Sequence, residues 1–577
     1  MAFDAAALDP GTAPPARSLK RAALRIAFRL AGVPPLEFDT KREPAAPTDH
    51  PKRAGASPRI IQHNLCGQRA NPARRFTVKR MSTEIVRGMT HGAAWMVLFK
   101  AIDRPLGLIS TFILARLLLP ADFGIVAMAM SVIAVIELAT SFSFDAALVQ
   151  RPKLRREHYD SAWTLNVLVA VGCAAATIAL APVAASYYAE PRLMAVMGTL
   201  AVGWLAWGFE NVGVVDFRRE LNFRREFWFL ASKRLISFAV TVAAALAFRS
   251  YWALVVGMVS GRIVGVLLSY AMHPFRPRPS LAASRELFSF SGWMLATNLL
   301  GAAVSRLPHF VLGRSFGAQA LGAYTVGAEF AQIANSELAA PINRALFPGF
   351  SRLADRPDEF RRACVGATAV MMLIVLPASV GIAAVAEPLV RVLLGERWSA
   401  AVPVIQVLAI SGALSSVVSN NTSAYLAIGR PHLVTAILLC RLIVMVPALY
   451  VAAGRGQFIA IAYAEMIAVV VSLLFSYPVL LRQLKLSPRD YLAALWRPLC
   501  ASIVMGLTVH AAMVWIGTDG SALGALKQLA AGVPLGIVLY VSLVFGLWVS
   551  SRRPESAESL IARRAYAAWR SFTARSR

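Results

Sequence analysis

Between about Trp95 and Ser550 the chain is a succession of roughly fourteen apolar runs, each close to the ~20 residues that an α-helix needs to cross a bilayer. Backbone surrounded by lipid must satisfy its N–H and C=O groups inside its own segment, so such a chain has few options besides a bundle of membrane helices. Composition agrees. With 57% hydrophobic and 16% charged residues, and a mean hydropathy of +0.58, the 577-residue chain is too apolar for a water-soluble protein of its length. The expected fold class is an all-α polytopic membrane protein.

A formal charge of +28 would suggest nucleic acid if the Lys and Arg formed one basic face. They are instead dealt out in small groups between apolar runs, so no nucleic-acid partner is expected. The five cysteines include Cys66 in the polar N-terminal region and Cys173, Cys364, Cys440 and Cys500 in or beside apolar runs. Their spacing fits neither a metal site nor a disulfide framework, and they read as small core residues. No metal or cofactor is expected.

The spans are expected at 92–114, 123–143, 161–185, 193–214, 227–248, 252–272, 289–312 and 321–345. They continue at 364–386, 401–427, 433–453, 458–481, 493–516 and 529–549. Every second connection is basic: Arg151, Lys153, Arg155 and Arg156 after span two, Arg218, Arg219, Arg224 and Arg225 after span four, Arg276, Arg278 and Arg285 after span six. Arg352, Arg356, Arg361 and Arg362 follow span eight, Arg430 span ten, and Arg482, Lys485 and Arg489 span twelve. The other connections carry mostly single charges. By the positive-inside rule the even connections and both termini are cytoplasmic, and the unbroken alternation supports the count.

Residues 1–80 are rich in Pro, Ala and Arg and contain no span, so they are expected to be a disordered basic extension. Within them Ser18–Leu30 has the pattern of an interfacial helix. Met81 directly precedes the first span and makes a mis-called start the favoured account of the upstream region. The expected organisation is then 81–275 for spans one to six, 276–490 for spans seven to twelve, 491–550 for spans thirteen and fourteen, and 551–577 for a basic cytoplasmic tail.

Enzymes that act on lipid-linked sugars at the outer face usually need a sizeable extracytoplasmic loop, and no odd connection here exceeds about fifteen residues. No covalent catalysis is expected. A Walker-type phosphate loop is absent. Asp122-Phe123-Gly124 imitates a kinase motif and Asn421-Thr422-Ser423 a glycosylation site, and both are read as chance matches.

A shift of 198 positions lays Trp95-Met96 on Trp293-Met294, Phe112 on Phe310, Leu114 on Leu312, Arg116 on Arg314, Gly124 on Gly322 and Ala147-Leu148 on Ala345-Leu346. Spans one and seven are therefore expected to be equivalent. An even number of spans separates them, which makes the repeats parallel: two six-helix lobes, as in an alternating-access transporter, plus two C-terminal helices.

The stretch Leu114-Ala115-Arg116-Leu117-Leu118-Leu119-Pro120-Ala121-Asp122-Phe123-Gly124 resembles the Wzx-type polysaccharide transporters of the multidrug/oligosaccharidyl-lipid/polysaccharide exporter superfamily. Ala147-Leu148-Val149-Gln150-Arg151, residues 218–225, residues 311–324 and residues 346–353 carry the same resemblance, which extends over roughly 85–550. It implies a flippase for undecaprenyl-diphosphate-linked oligosaccharide repeat units in the bacterial inner membrane, serving exopolysaccharide, capsule or O-antigen synthesis. Membrane lipids, a polysaccharide polymerase and export machinery are the partners it implies. A drug or metabolite antiporter of the same superfamily is the alternative, and an enzyme of lipid-linked glycans a more distant one.

A lipid diphosphate bearing sugars cannot cross hydrocarbon unaided, so cations inside the spans are the candidate binding groups. Lys100 and Arg104 lie one turn apart in span one, before Pro105. They are either a diphosphate-binding pair at a hinge, or a Lys100–Asp103 bridge with Arg104 snorkelling. Arg262, between Gly257, Gly261 and Gly265, either lines the pathway or borders a packing seam. Arg306 flanks Pro308 in span seven. Lys100, Arg104, Arg262 and Arg306 are the expected cationic lining, whereas Lys233 and Arg234 read as snorkelling and Arg441 as ambiguous. Among the acids Asp103, Glu137, Glu210, Glu329, Glu337 and Glu465, all within spans, Asp103, Glu137, Glu329, Glu337 and Glu465 are candidates for coupling to a proton or Na⁺.

Overall fold

The computed structural model describes residues 72–138, 144–151, 154–284, 292–517 and 520–551. The interfacial helix expected at Ser18–Leu30, Cys66, Arg285 and the basic tail from residue 552 lie outside the described residues.

All regular structure among the described residues is helical. The chain runs through α1 (Pro72–Leu117), α2 (Pro120–Ile136), α3 (Phe144–Gln150), α4 (Arg156–Tyr188), α5 (Leu193–Gly208) and α6 (Asp216–Arg219). Next come α7 (Phe223–Phe248), α8 (Trp252–Met272), α9 (Gly292–Ala331), α10 (Ala340–Leu353), α11 (Pro357–Ala384) and α12 (Ala386–Leu393). The last are α13 (Ala401–Ala427), α14 (Pro431–Gly454), α15 (Ile459–Leu484), α16 (Pro488–Ile516) and α17 (Ala522–Ser550). Proline opens α2, α11, α14 and α16, where its missing N–H is no loss and its φ suits the helix.

Nine of these helices, α4, α7, α8, α11 and α13–α17, are long and apolar enough to cross a membrane. A tenth is reached if α5 and the segment Val212–Arg219, bent by 65°, form one broken span. The chain is thus a multi-pass membrane protein, and the stretches expected as spans one, two, seven and eight are not among these nine or ten helices. Lys100, Asp103, Arg104 and Arg116 interrupt the apolar run of α1. The α2 helix has only 17 residues. The stretch expected as spans seven and eight is α9, broken at Gly317 (φ 76°, ψ −175°), followed by a π-turn at Asn335–Ala339 and α10. One further difference is that α1 begins at Pro72, inside the stretch expected to be disordered.

The chain divides into two compact units, residues Met1–Asp103 with Asp216–Ala231, and residues Arg104–Val215 with Ser232–Arg577. In the first, Trp95 packs on Phe227 with ring centroids 4.9 Å apart, and Arg218 Nε donates to the buried carboxylate of Glu226 at 2.5 Å. The second holds most of the core, in which Ile125, Met128, Leu312, Leu321, Tyr324 and Val404 are nearly inaccessible.

Within that larger unit α2 and the second half of α9 cross at van der Waals range. A Cβ added at Gly124 would overlap the backbone of Ala318, and one added at Gly322 would overlap the backbone of Pro120. Only glycine permits this approach at either position. Asp122 fixes the start of α2: its carboxylate accepts from the N–H of Leu119 at 2.9 Å and from that of Tyr251, ahead of α8, at 3.0 Å. The kinase-like tripeptide is therefore a helix cap and a packing glycine.

The terminal pair is joined by Gln528, whose side-chain amide donates to the carbonyls of Met513 and Gly517 at 3.0 and 2.9 Å. It attaches to α11 at a specific defect. Pro377 has no N–H, which leaves the carbonyl of Leu373, four residues earlier, without its helical partner. The Tyr540 hydroxyl donates to that carbonyl at 2.7 Å.

Candidate functional site

The charged groups that the larger unit gathers among apolar helices come from α1, α7, α9 and the π-turn. Arg104 sits in α1 directly before Pro105, and its Nε donates to the Glu337 carboxylate. Its Nη2 donates to Ser336 Oγ, which in turn hydrogen-bonds the same carboxylate at 3.0 Å. Two turns along α1, Thr111 Oγ1 stands 3.4 Å from Glu329 Oε1 and 3.2 Å from the carbonyl of Gly107. Glu329 lies within electrostatic range of both Arg104 and Arg234. The α7 residue Arg234 reaches this place because Gly107 has no side chain: a Cβ there would stand 3.1 Å from Arg234 Nη2.

The π-turn has a local cause. Pro341 cannot donate to the carbonyl of Glu337, so the α-helical ladder is interrupted and the N–H of Ala340 bonds back five residues to Asn335. The extra residue in the turn swings Ser336 and Glu337 to Arg104. Side-chain exposures of 51% and 39% for Arg104 and Glu337 mean that this pair is reachable. Two guanidinium groups facing two carboxylates and two hydroxyls form a set that can exchange internal partners for an anionic, hydroxyl-rich ligand.

The other expected site residues are placed elsewhere. Lys100 and Asp103 belong to the smaller unit, where Lys100 is exposed and makes no ion pair among the described residues. Arg262 is placed with its guanidinium over the Trp204 ring at 4.5 Å and 3.8 Å from Glu137, beside Gly203. Arg306 is half-buried on α9 with no ion pair among the described residues, in electrostatic range of His309. The His309 ring meets Tyr324 edge-on at 5.6 Å. Tyr324 donates to Glu465 at 2.7 Å, and Glu465 lies 3.6 Å from Arg441, which defines a second buried network.

Arg234 joins this candidate site although a cation a turn or two inside a span looks in sequence like a snorkelling side chain. Its neighbour Lys233 bonds Glu210 at 2.9 Å, in space that Gly265 leaves open. No signal in the sequence pairs Gly107 with Arg234 or Gly265 with Lys233, because these residues are brought together only by the packing of different helices.

Residues 113–403 match the family described as polysaccharide biosynthesis protein. The chain belongs to this family. Among its relatives, lipopolysaccharide biosynthesis protein WzxC of Escherichia coli (strain K12) is 25% identical over 421 residues, covering 71% of this chain and 85% of WzxC. Succinoglycan biosynthesis transport protein ExoT of Rhizobium meliloti (strain 1021) is 25% identical over 469 residues, covering 79% of this chain and 92% of ExoT. These names bear out the resemblance to Wzx-type polysaccharide transporters. In fold the chain is similar to the lipid II flippase MurJ in an inward closed conformation, with a TM-score of 0.61 at 13% identity over 79% of this chain and 100% of MurJ. It is also similar to an inward-facing MATE family multidrug transporter, with a TM-score of 0.51 at 17% identity over 68% of this chain and 99% of that one. The fold of this family member is thus that of membrane transporters.

Proposed function

We propose that this polysaccharide biosynthesis protein is a flippase without covalent chemistry, which moves undecaprenyl-diphosphate-linked oligosaccharide repeat units from the cytoplasmic to the periplasmic leaflet of the bacterial inner membrane. The observation that carries this reading is the Arg104–Glu337–Glu329–Arg234 set, charged groups held among membrane helices at a π-turn. Charges in such a place are costly to bury and mark a polar pathway. The diphosphate would take the guanidinium groups, sugar hydroxyls the carboxylates, Thr111 and Ser336, and the polyprenyl chain would stay in lipid.

Alternating access in fourteen spans, with spans one to six and seven to twelve as parallel lobes, is supported by the reciprocal packing of Gly124 and Gly322. Both termini are then cytoplasmic and the odd connections face outward. On that side Arg116 Nε donates to the carbonyl of Leu393 at 3.2 Å and Trp398 Nε1 donates to the carbonyl of Ala115 at 2.9 Å. These bonds fit a state closed to the periplasm. The polymerase and export machinery are the partners that this place in synthesis implies.

The deciding experiment is deletion of the gene, followed by assay of lipid-linked repeat units. The expected result is their accumulation on the cytoplasmic face with loss of surface polymer, restored by the wild-type chain and not by Arg104→Ala. Normal polymer in the deletion strain refutes the reading. The MATE-like fold keeps a small-molecule antiporter as the second reading, and export of small cations by the purified protein would favour it.

A further inference from the structure

The Arg104–Glu337 pair has a property that a fixed structural ion pair does not need. Its acidic half sits on the π-turn Asn335–Ala339 between α9 and α10, and both side chains are accessible. An accessible ion pair is weak and exchanges readily. The carboxylate of Glu337 and the hydroxyl of Ser336 together offer Arg104 two oxygen acceptors, one at Nε and one at Nη2. Two oxygens of a phosphate group present the same pattern to a guanidinium, with more negative charge.

We propose that Glu337 is an internal stand-in for the substrate's diphosphate. It holds Arg104 while the site is empty, and it is displaced when the diphosphate takes the guanidinium. This inference rests on the flippase reading and deepens it, because it assigns the bound anion a structural consequence. Displacement puts a free carboxylate next to a diphosphate, and the two like charges repel. Glu337 then leaves and takes the π-turn with it, since Ser336 and Glu337 are the residues that tie this turn to α1. Nothing within the turn restores an α-helical ladder while Pro341 remains, so the segment is free to change register. Occupancy at Arg104 is in this way transmitted to α10, the helix that continues from the turn. Glu329 stays behind on α9 with Thr111, within electrostatic range of both Arg104 and Arg234.

The test uses the full-length protein in lipid nanodiscs and farnesyl diphosphate as the probe, with binding followed by intrinsic tryptophan fluorescence. If Glu337 occupies Arg104 for about nine-tenths of the time, Glu337→Gln raises the probe's affinity about tenfold. The gain disappears in Arg104→Gln/Glu337→Gln, which binds no better than Arg104→Gln, and flipping of lipid-linked repeat units by Glu337→Gln slows although the probe binds more tightly. Monodisperse Glu337→Gln that binds the probe no more tightly than wild type, while Arg104→Gln binds weakly, overturns the stand-in and leaves the flippase reading intact. Arg104→Gln that binds as well as wild type overturns both. Glu337→Asp, whose shorter carboxylate keeps the charge, is the control for folding and is expected to fall between wild type and Glu337→Gln.

Discussion

Gly124 and Gly322 make reciprocal contacts: the first faces the backbone of Ala318 and the second the backbone of Pro120, and each partner stands four residues before the other glycine. Both glycines and both partners are related by the 198-position shift, so the crossing of α2 with the second half of α9 is self-complementary. The break before each crossing also coincides under that shift, falling at Leu119, which is extended (φ −91°, ψ 155°), and at Gly317. If the two sites are equivalent, Gly124→Ala and Gly322→Ala lower stability alike. Each should cost about 1–3 kcal/mol by forcing backbone apart. Thermal unfolding in detergent measures this, and a mild effect at one site with a severe effect at the other contradicts equivalence.

Tyr540 satisfies the Leu373 carbonyl that Pro377 leaves open. Tyr540→Phe is expected to destabilise the protein by about 1 kcal/mol, because a backbone carbonyl facing apolar surroundings loses its donor. Restoring the α11 bond with Pro377→Ala supplies an N–H to the same carbonyl, so the double variant should lose less than the sum of the two single ones. Additive losses in a double-mutant cycle would contradict the link.

Arg441 is the cation of the Glu465–Tyr324 network. Arg441→Met leaves Glu465 with the tyrosine hydroxyl as its one partner among the described residues and is expected to cost about 3–5 kcal/mol, whereas Arg441→Met with Glu465→Gln should recover much of it. Recovery identifies a structural pair. A stable double variant that no longer responds to an imposed proton or Na⁺ gradient assigns Glu465 to coupling instead.

Arg234 should matter for transport in proportion to its place beside Glu329. Arg234→Gln is expected to lower flipping at least about tenfold with unchanged expression, as removal of one of the two cations in the set would. Gly107→Ala, which crowds the guanidinium by one methyl group, should reproduce part of that loss. Flipping at the wild-type rate in Arg234→Gln returns this residue to the role of a snorkelling side chain.

Much of this protein is determined by its sequence alone, and for a single reason. Lipid forbids unpaired backbone groups, so apolar runs of span length must become helices, and basic connections report which side they face. The shift that joins Gly124 to Gly322, and the resemblance carried by residues 114–124, are equally visible in the letters. Tertiary structure decided which charges meet. Arg104, Arg262 and Arg306 look alike as cations inside spans, yet Arg104 meets an acid on a π-turn, Arg262 meets Trp204 and Glu137, and Arg306 meets neither. Helical periodicity places a side chain on one face of its own helix. Which helix it faces depends on rotation and on small residues such as Gly107 and Gly265, distant in the chain, that leave room for a cation to turn inward.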